Sequence, residues 1–537
     1  MSSQTSVHPD LALPTEKAGP RAWFGLSVLV LPVILISVDM TVLGFAVPHL
    51  SAALAPTGEQ LLWIVDIYGF LIAGFLVTMG SLGDRFGRRR LLMIGSAAFG
   101  IASALAAFSP TPEMLIAARA LLGIAGATLM PSTLSLIRSL FPDSRQRMVA
   151  VAVWASAFSA GAAFGPVLGG LLLEHFFWGS VFLINVPVVA LILIALPFLV
   201  SESKDPRPGP IDLLSVVLSL VGMLSAVYGI KRLVSAEVSA LPVVTLLMGA
   251  LVLTLFVRRQ QRLAHPLIDL SLFSLRRFRA GVITNFMLVF ALVGTLFFLT
   301  QMLQSGYGMS PLHASFVLLP GLLISVVASF IVIPIARRVS LRTVIISGLL
   351  LATAGLASLT QLPSAGGAAL ILVAYAALGL GTGLTETVTN DAILSSAPPQ
   401  RAGAASAISE TAYELGGALG VAILGSVLST GYRLQLTSAE LDGVSAAETD
   451  RAAETIAAAR STADALGGAE GEALWSAAQG AFTQSVQVTG GVAAGLVALI
   501  AAAVWMLLRK DTREPTQSTP ASIPSERQGP LHLRTDQ

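Results

Sequence analysis

An all-α integral membrane protein with fourteen transmembrane helices is the fold that this sequence predicts, and three observations carry the prediction. Of 537 residues, 54% are hydrophobic and only 12% are charged, about half the charged share of a soluble globular chain. A mean hydropathy of +0.80 requires most of the apolar surface to face lipid. Continuously apolar runs of about 20 residues recur, each long enough to cross a ~30 Å hydrocarbon core. These runs lack the alternation of lipid-facing strands, so helices rather than a barrel are expected. An ordinary soluble enzyme is excluded. With no cysteine there is no disulfide framework and no thiolate metal or iron–sulfur site. The six histidines (His8, His49, His175, His265, His313 and His532) stand too far apart for a two-histidine zinc motif, so neither a metal nor a cofactor is expected.

The fourteen spans fall at 23–47, 60–80, 91–108, 114–137, 148–172, 179–200, 212–230, 241–257, 280–303, 312–336, 343–360, 367–389, 402–429 and 484–508. An even number places both termini on one side, and the basic residues choose that side. Arg85, Arg88, Arg89 and Arg90 follow span 2, Arg145 and Arg147 follow span 4, and Lys204 and Arg207 follow span 6. Arg258, Arg259, Arg262, Arg276, Arg277 and Arg279 lie between spans 8 and 9, and Arg337, Arg338 and Arg342 between spans 10 and 11. The alternate short loops hold no Lys or Arg, except for Lys231 and Arg232 after span 7. The basic loops, and with them both termini, are therefore expected in the cytoplasm, with the protein in the cell membrane. A net charge of +2 is accounted for by this topology, and no nucleic-acid partner is expected.

The domain order that follows is a polar tail (1–22), an N-terminal six-helix bundle (23–200), two inserted helices with a linker (201–279), a C-terminal six-helix bundle (280–508) and a second polar tail (509–537). The two bundles look like versions of one unit: the basic turn Gly80–Leu91 has a weaker echo at Ile335–Arg342, and glycine-dense span 5 has a counterpart in span 13 at Gly416, Gly417, Gly420 and Gly425. Residues 430–483 form one long outer segment rich in Ala, with Glu440, Asp442, Glu448, Asp450, Glu454, Asp464, Glu470 and Glu472. Its composition suggests acidic helical structure, read first as a solvated hairpin and second as an anionic funnel for cations.

Ionisable groups inside spans cost about 2.5–3.5 kcal/mol each on insertion scales, so each calls for an explanation. Asp39 lies past the midplane of span 1, Asp66 in the outer half of span 2, Arg119 near the outer end of span 4, and Glu386 in span 12. Glu410 and Glu414 stand four residues apart in the inner half of span 13, on one helical face where both charges would repel. These six are the candidate proton and cation coupling residues. For Asp39 and Asp66 the alternative is structural, a buried carboxyl held by a hydrogen bond or by Arg119, and for Glu410 and Glu414 it is a wet helix end near the cytoplasm; Arg119 either faces polar groups inside the bundle or snorkels to the interface. Trp63, Tyr68, Trp154, Phe158, Phe290 and Phe297 could line a cation cavity or serve helix packing.

Three strings make the pattern specific. The turn Gly80-Ser-Leu-Gly-Asp-Arg-Phe-Gly-Arg-Arg-Arg-Leu91 resembles the loop motif between helices 2 and 3 of the major facilitator superfamily. Leu115–Ala127, around Arg119, resembles that superfamily's helix-4 arginine motif. Gly161-Ala-Ala-Phe-Gly-Pro-Val-Leu-Gly-Gly170 is similar to its antiporter motif of helix 5, in which small residues allow close helix approach and a proline bends the span. With Asp39-Met-Thr-Val, Trp63–Tyr68, Phe182–Pro187 and His265–Asp269, the chain resembles the fourteen-helix drug:proton antiporters, especially the quaternary ammonium efflux pumps (QacA-like).

The resemblance implies a major facilitator fold and proton-driven export of lipophilic, mainly cationic drugs, with a dedicated exporter of an endogenous metabolite, antibiotic or lipid as the alternative. It implies that Asp39, Asp66, Glu410 and Glu414 couple protons to cations and that Arg119 serves the proton. Gly80, Gly83, Asp84, Arg85, Gly87 and Arg88 would form a conformational latch, and Gly161, Gly165, Pro166, Gly169 and Gly170 the interface between bundles. The expected partners are small-molecule drugs, protons and lipid, with the protein a monomer. Span 10 has no acidic residue, where relatives that accept divalent cations carry one, so monovalent cations are the expected preference. No Gly-x-Gly-Asp, His-Glu-x-x-His or nucleophile-elbow string points to an intramembrane enzyme.

Overall fold

The computed structural model describes residues 17–204, 212–234, 240–263, 266, 268–336, 338–396 and 402–509. The tails, apart from residues 17–22 and Arg509, lie outside the described residues, as do Arg207, His265 and Arg337. Fourteen helices among the described residues are long and apolar enough to cross a membrane. They are span 1 (Pro20–Leu54), span 2 (Gly58–Phe86), span 3 (Arg88–Ala107), span 4 (Pro112–Leu140), span 5 (Ser144–His175), span 7 (Leu213–Val234) and span 8 (Ala240–Gln260). Then come span 9 (Arg276–Gln301), span 10 (Pro311–Ala336), span 11 (Leu341–Ser358), span 12 (Ala368–Ser396), span 13 (Ala402–Thr437) and span 14 (Gly468–Leu508). Span 6 runs in two pieces, Ser180–Leu183 and Asn185–Leu199.

Helix starts follow local chemistry. Thr57 and Gln60 form a capping box at span 2, Thr111 caps span 4 just before Pro112, and Asp143 caps span 5 through the Gln146 amide at 2.8 Å. Each side-chain oxygen satisfies an amide that the helix leaves without an internal partner.

The two bundles repeat one packing pattern. Span 1 packs on spans 4, 5 and 6, span 2 on span 4, and span 3 on spans 4 and 6; in the second bundle span 9 packs on spans 12, 13 and 14, span 10 on span 12, and span 11 on spans 12 and 14. Adding eight to each span number converts one set of pairs into the other, which is the structural form of an internal duplication. Between bundles, span 2 meets span 13 and span 5 meets span 10, again a symmetric pair, while span 1 meets span 9.

The inserted spans 7 and 8 form a hairpin closed by glycines: a Cβ at Gly229 would lie 2.7 Å from the Leu246 amide, and one at Gly249 2.5 Å from that of Ala226. Span 7 lies over the seam between spans 2 and 13, where Phe70, Val227, Ala418 and Ala422 form one buried cluster. That apolar lid separates the acids of spans 2 and 13 from lipid on this side.

The long outer segment differs from a free hairpin. Residues up to Thr437 continue span 13 and those from Gly468 begin span 14, leaving two short helices, Ala446–Ala452 and Ile456–Leu466, between them. Ala452, Ala453, Ile456, Ala459 and Ala463 are buried in the main core, and Tyr432 donates to the Ala452 carbonyl at 3.0 Å. The alanines that looked like part of a solvated helix form an apolar underside, with the acidic residues above it.

Candidate functional site

Two of the cavities between the bundles hold the intramembrane acids, at different depths. The first, about 50 Å³, is lined from spans 1, 2, 4, 9 and 13 and includes Thr41, Asp66, Tyr68, Arg119, Phe297 and Glu414. Arg119 organises it. Its guanidinium donates to Asp39 Oδ2 at 2.5 Å and to the Ile64 carbonyl at 3.1 Å, and lies over the Tyr68 ring at 4.3 Å. Asp39, Asp66, Arg119 and Glu414 are all buried, the last three 1–2% exposed. Arg119 thus faces the bundle interior, and the alternative of an arginine-held acid describes Asp39 in this arrangement. Asp66 sits in the shared cavity rather than in an outer mouth. Neither carboxylate oxygen of Glu414 has a hydrogen-bond partner among the described residues.

The second cavity, about 370 Å³, lies in the half of the molecule nearer the chain ends and is lined by Met130, Trp154, Phe158, Ser329, Glu386, Thr387, Asn390, Ser409, Glu410 and Tyr413. One wall is aromatic: Phe158 and Tyr413 meet edge to face at 5.8 Å, and Trp154 is fixed by donating to Thr133 at 3.1 Å. The other wall carries Glu386 and Glu410. Glu410 and Glu414, four residues apart on span 13, each open on a different cavity. A step of four residues moves a side chain about one turn, roughly 6 Å along the axis, enough to pass from one chamber to the other.

The remaining candidates divide in the same way. Tyr68 and Phe297 line the first cavity and Trp154 and Phe158 the second, whereas Trp63 and Phe290 line neither. Phe290 is buried and its backbone lies against Gly420, so it serves packing between spans 9 and 13.

The glycines of span 5 do not all face the other bundle. A Cβ at Gly161 would meet Ser37 at 2.9 Å, one at Gly165 would strike Thr41, and one at Gly169 would press on Val42 at 3.2 Å, all on span 1 of the same bundle. Gly170 alone of the four crosses over, 2.8 Å from the Leu312 backbone of span 10. Positions four apart share a face, and the next residue is turned by about 100°. Pro166 is buried within the continuous helix of span 5.

In the latch, a Cβ at Gly80 or Gly83 would make only ordinary contacts of 3.6 and 3.4 Å, so close approach is not made here. Gly87 adopts φ 108°, which turns the chain between spans 2 and 3 and favours glycine. Arg85 is exposed, and the Arg88 amide donates to the Ser203 carbonyl at 2.9 Å. The side chain of Asp84 lies outside the described residues.

Sequence reasoning missed two groups. Glu202, just after span 6, accepts from the Arg89 and Arg90 amides at 3.0 and 3.1 Å, capping span 3 with an anion as the helix dipole favours. Asn390 and Tyr413 also line the second cavity; they stand four and three residues beyond Glu386 and Glu410, a helical spacing that would have found them.

On the face opposite the chain ends the bundles are joined. Gln304 donates to the Phe45 carbonyl and Thr300 to that of Gly44, both at 3.2 Å, and Glu454 accepts from the Gly58 amide at 3.2 Å and from Arg433 at 2.6 Å. The bundles are therefore bridged on the far face, around a cavity of about 300 Å³ beside Glu59, Arg232, Arg433 and Glu454, while the cavity of about 370 Å³ lies on the terminal side.

Residues 29–421 match the Major Facilitator Superfamily. The chain is 44% identical over 496 residues to the multidrug efflux pump LfrA of Mycolicibacterium smegmatis, covering 92% of this chain and 98% of that protein. It is 39% identical to the methyl viologen resistance protein SmvA of Salmonella typhimurium (92% and 99% covered) and 31% identical to the tetracenomycin C resistance and export protein of Streptomyces glaucescens (98% of each). In solved structures, a bacterial homolog of the human lysosomal transporter Spinster, inward-facing and unoccupied, superposes with a TM-score of 0.66 at 16% identity, covering 93% of this chain and 100% of that one. On the duplicated bundles, the match across most of the chain and these relatives, the chain belongs to the major facilitator superfamily of membrane transporters and is not an enzyme.

Proposed function

We propose that the protein is a proton-coupled multidrug efflux antiporter that exports lipophilic, mainly cationic compounds, with the terminal face in the cytoplasm. The observation that carries this reading is the division of intramembrane acids between two cavities at the bundle interface. The larger has the size and aromatic wall of a ligand pocket; the smaller is lined by two acids and by Arg119, itself paired with Asp39 behind the wall, and has room for little more than a few waters. The relatives named for multidrug efflux and methyl viologen resistance support a cationic, lipophilic cargo, and the arginine-rich loops support the orientation.

The geometry suggests how the coupling runs. A proton arriving from the far side neutralises Asp39 and releases Arg119, whose charge then needs a new partner. Asp66 and Glu414 line the same cavity, so the arginine can change partners without leaving protein. Glu414 is on the helix that carries Glu410, so a shift of span 13 transmits the exchange to the drug cavity. Proton and drug favour opposite states of one set of acids, and this differential affinity is what couples them.

The test is dye efflux from proteoliposomes under an imposed pH gradient. Ethidium movement that follows the gradient and collapses with an uncoupler is the expected result, and gradient-independent movement overturns it. The second reading, export of one self-made compound, is favoured by the tetracenomycin C relative; it predicts transport of a single scaffold and indifference to ethidium.

A further inference from the structure

Span 10 offers no acid, so a dication needs its second compensating charge from elsewhere in the membrane. The structure offers a second charge from another helix. Glu386 of span 12 and Glu410 of span 13 both line the larger cavity. Among the described residues neither carboxylate has a hydrogen-bond or ion-pair partner, and no Lys or Arg lines the cavity. Two acids without a counter-ion, facing a chamber of about 370 Å³, either take up a proton or, when ionised, have affinity left for a cation in the space.

The position of Glu386 is fixed from beneath. Asn390, one turn along span 12, accepts from Asn285 at 2.7 Å and from Ser409 at 3.2 Å, and Thr389 donates to Asn285. This network ties span 12 to spans 9 and 13 and sets the distance between the two acids. Facing them are Trp154 and Phe158 from the other bundle, with Tyr413 beside them. The smaller cavity, at about 50 Å³, cannot hold an aromatic ring system, and its Arg119 is already bound to Asp39.

We propose that the larger cavity is a site for flat aromatic dications, with Glu386 as the specificity-determining residue that supplies the second negative charge alongside Glu410. Each carboxylate meets one positive centre, and the rings between the centres lie against Trp154 and Phe158. A monocation needs only one acid, so it loses less when Glu386 is neutralised. The site rests on the efflux reading for its role in transport, but its ligand preference is readable from binding alone.

The experiment measures equilibrium binding of methyl viologen, a bipyridinium dication, and of ethidium, a monocation, to the purified full-length protein by dialysis, followed by efflux of both from proteoliposomes. Glu386→Gln should lower the ratio of methyl viologen to ethidium affinity by about tenfold or more. Glu386→Asp, which keeps the charge, should restore most of that ratio and guards against a Gln variant that fails to fold. An unchanged ratio in Glu386→Gln, or Glu386→Asp behaving like Gln, overturns the proposal. Wild-type binding with the expected ratio but no gradient-driven efflux supports the site and overturns the efflux reading instead.

Discussion

The two cavities contain the same kinds of residue and differ in how their charges are met. In the smaller, Arg119 is held by Asp39, the Ile64 carbonyl and the face of Tyr68, so its positive charge is already compensated, and the acid left without a hydrogen-bond partner among the described residues, Glu414, shares the cavity with that cation. In the larger, Glu386 and Glu410 face open space beside aromatic rings with no cation among the described lining residues. A buried charge with a fixed partner holds a structure together and can be switched by a proton, whereas a buried charge without one has affinity left for a ligand. On the proposed function, this difference is what separates a proton chamber from a drug chamber within one bundle interface.

The largest effect should come from breaking the paired chamber. Asp39→Asn breaks the buried pair with Arg119 and removes the carboxylate that the proposed proton step needs; it should lower stability by less than the roughly 3–5 kcal/mol of an unpaired buried charge, because Asp66 and Glu414 share the cavity, and should abolish gradient-driven ethidium efflux. Asp39→Asn combined with Arg119→Gln removes both charges and should recover most of the thermal stability in detergent without recovering coupling. Recovery of coupling in the double variant would make Asp39 a structural acid only.

Gly170→Ala tests how the bridged far face depends on close packing. Its methyl would press on the Leu312 backbone, an overpacking worth about 1–3 kcal/mol, and only opening the far face relieves it. Spin-label distances between the far ends of spans 5 and 10 should lengthen, and unchanged distances would show that span 10 yields locally.

A smaller effect sharpens the contrast between cavity-lining and packing aromatics. Phe158→Ala removes a ring from the drug chamber and should weaken ethidium binding by about 0.5–2 kcal/mol. Phe290→Ala should lower thermal stability instead and leave dye affinity close to that of the wild type. If both variants lose the same affinity, the cavity wall is not where the cation sits.

The smallest effect is expected at the rim. Glu454 docks on the start of span 2 and on Arg433, and as a partly exposed pair it contributes on the order of 0.2–1 kcal/mol to the far-side closure. Glu454→Gln should raise the outward-open population slightly, by less than about fivefold, in the same spin-label measurement; a larger shift would make this pair a main latch of the far face.

Much of this protein was determined by its sequence alone. The number of spans and the identity of the intramembrane acids are local properties: in lipid each helix must satisfy its own backbone hydrogen bonds, so hydropathy over about 20 residues decides where a helix lies. The resemblance carried by Gly80–Leu91, Leu115–Ala127 and Gly161–Gly170 added the family, and the weak echoes at Ile335–Arg342 and span 13 were enough to expect a duplication. Which acid meets which partner was decided only by the tertiary structure. Asp39 and Arg119 are 80 residues apart, Glu410 and Glu414 are neighbours on one helix yet open on different chambers, and three of four span-5 glycines pack on span 1 and not on the opposite bundle. The physical reason is that lipid fixes that a helix forms and roughly how deep each residue lies, but it is indifferent to rotation about the helix axis. That angle is set by side chains from distant parts of the chain fitting one another.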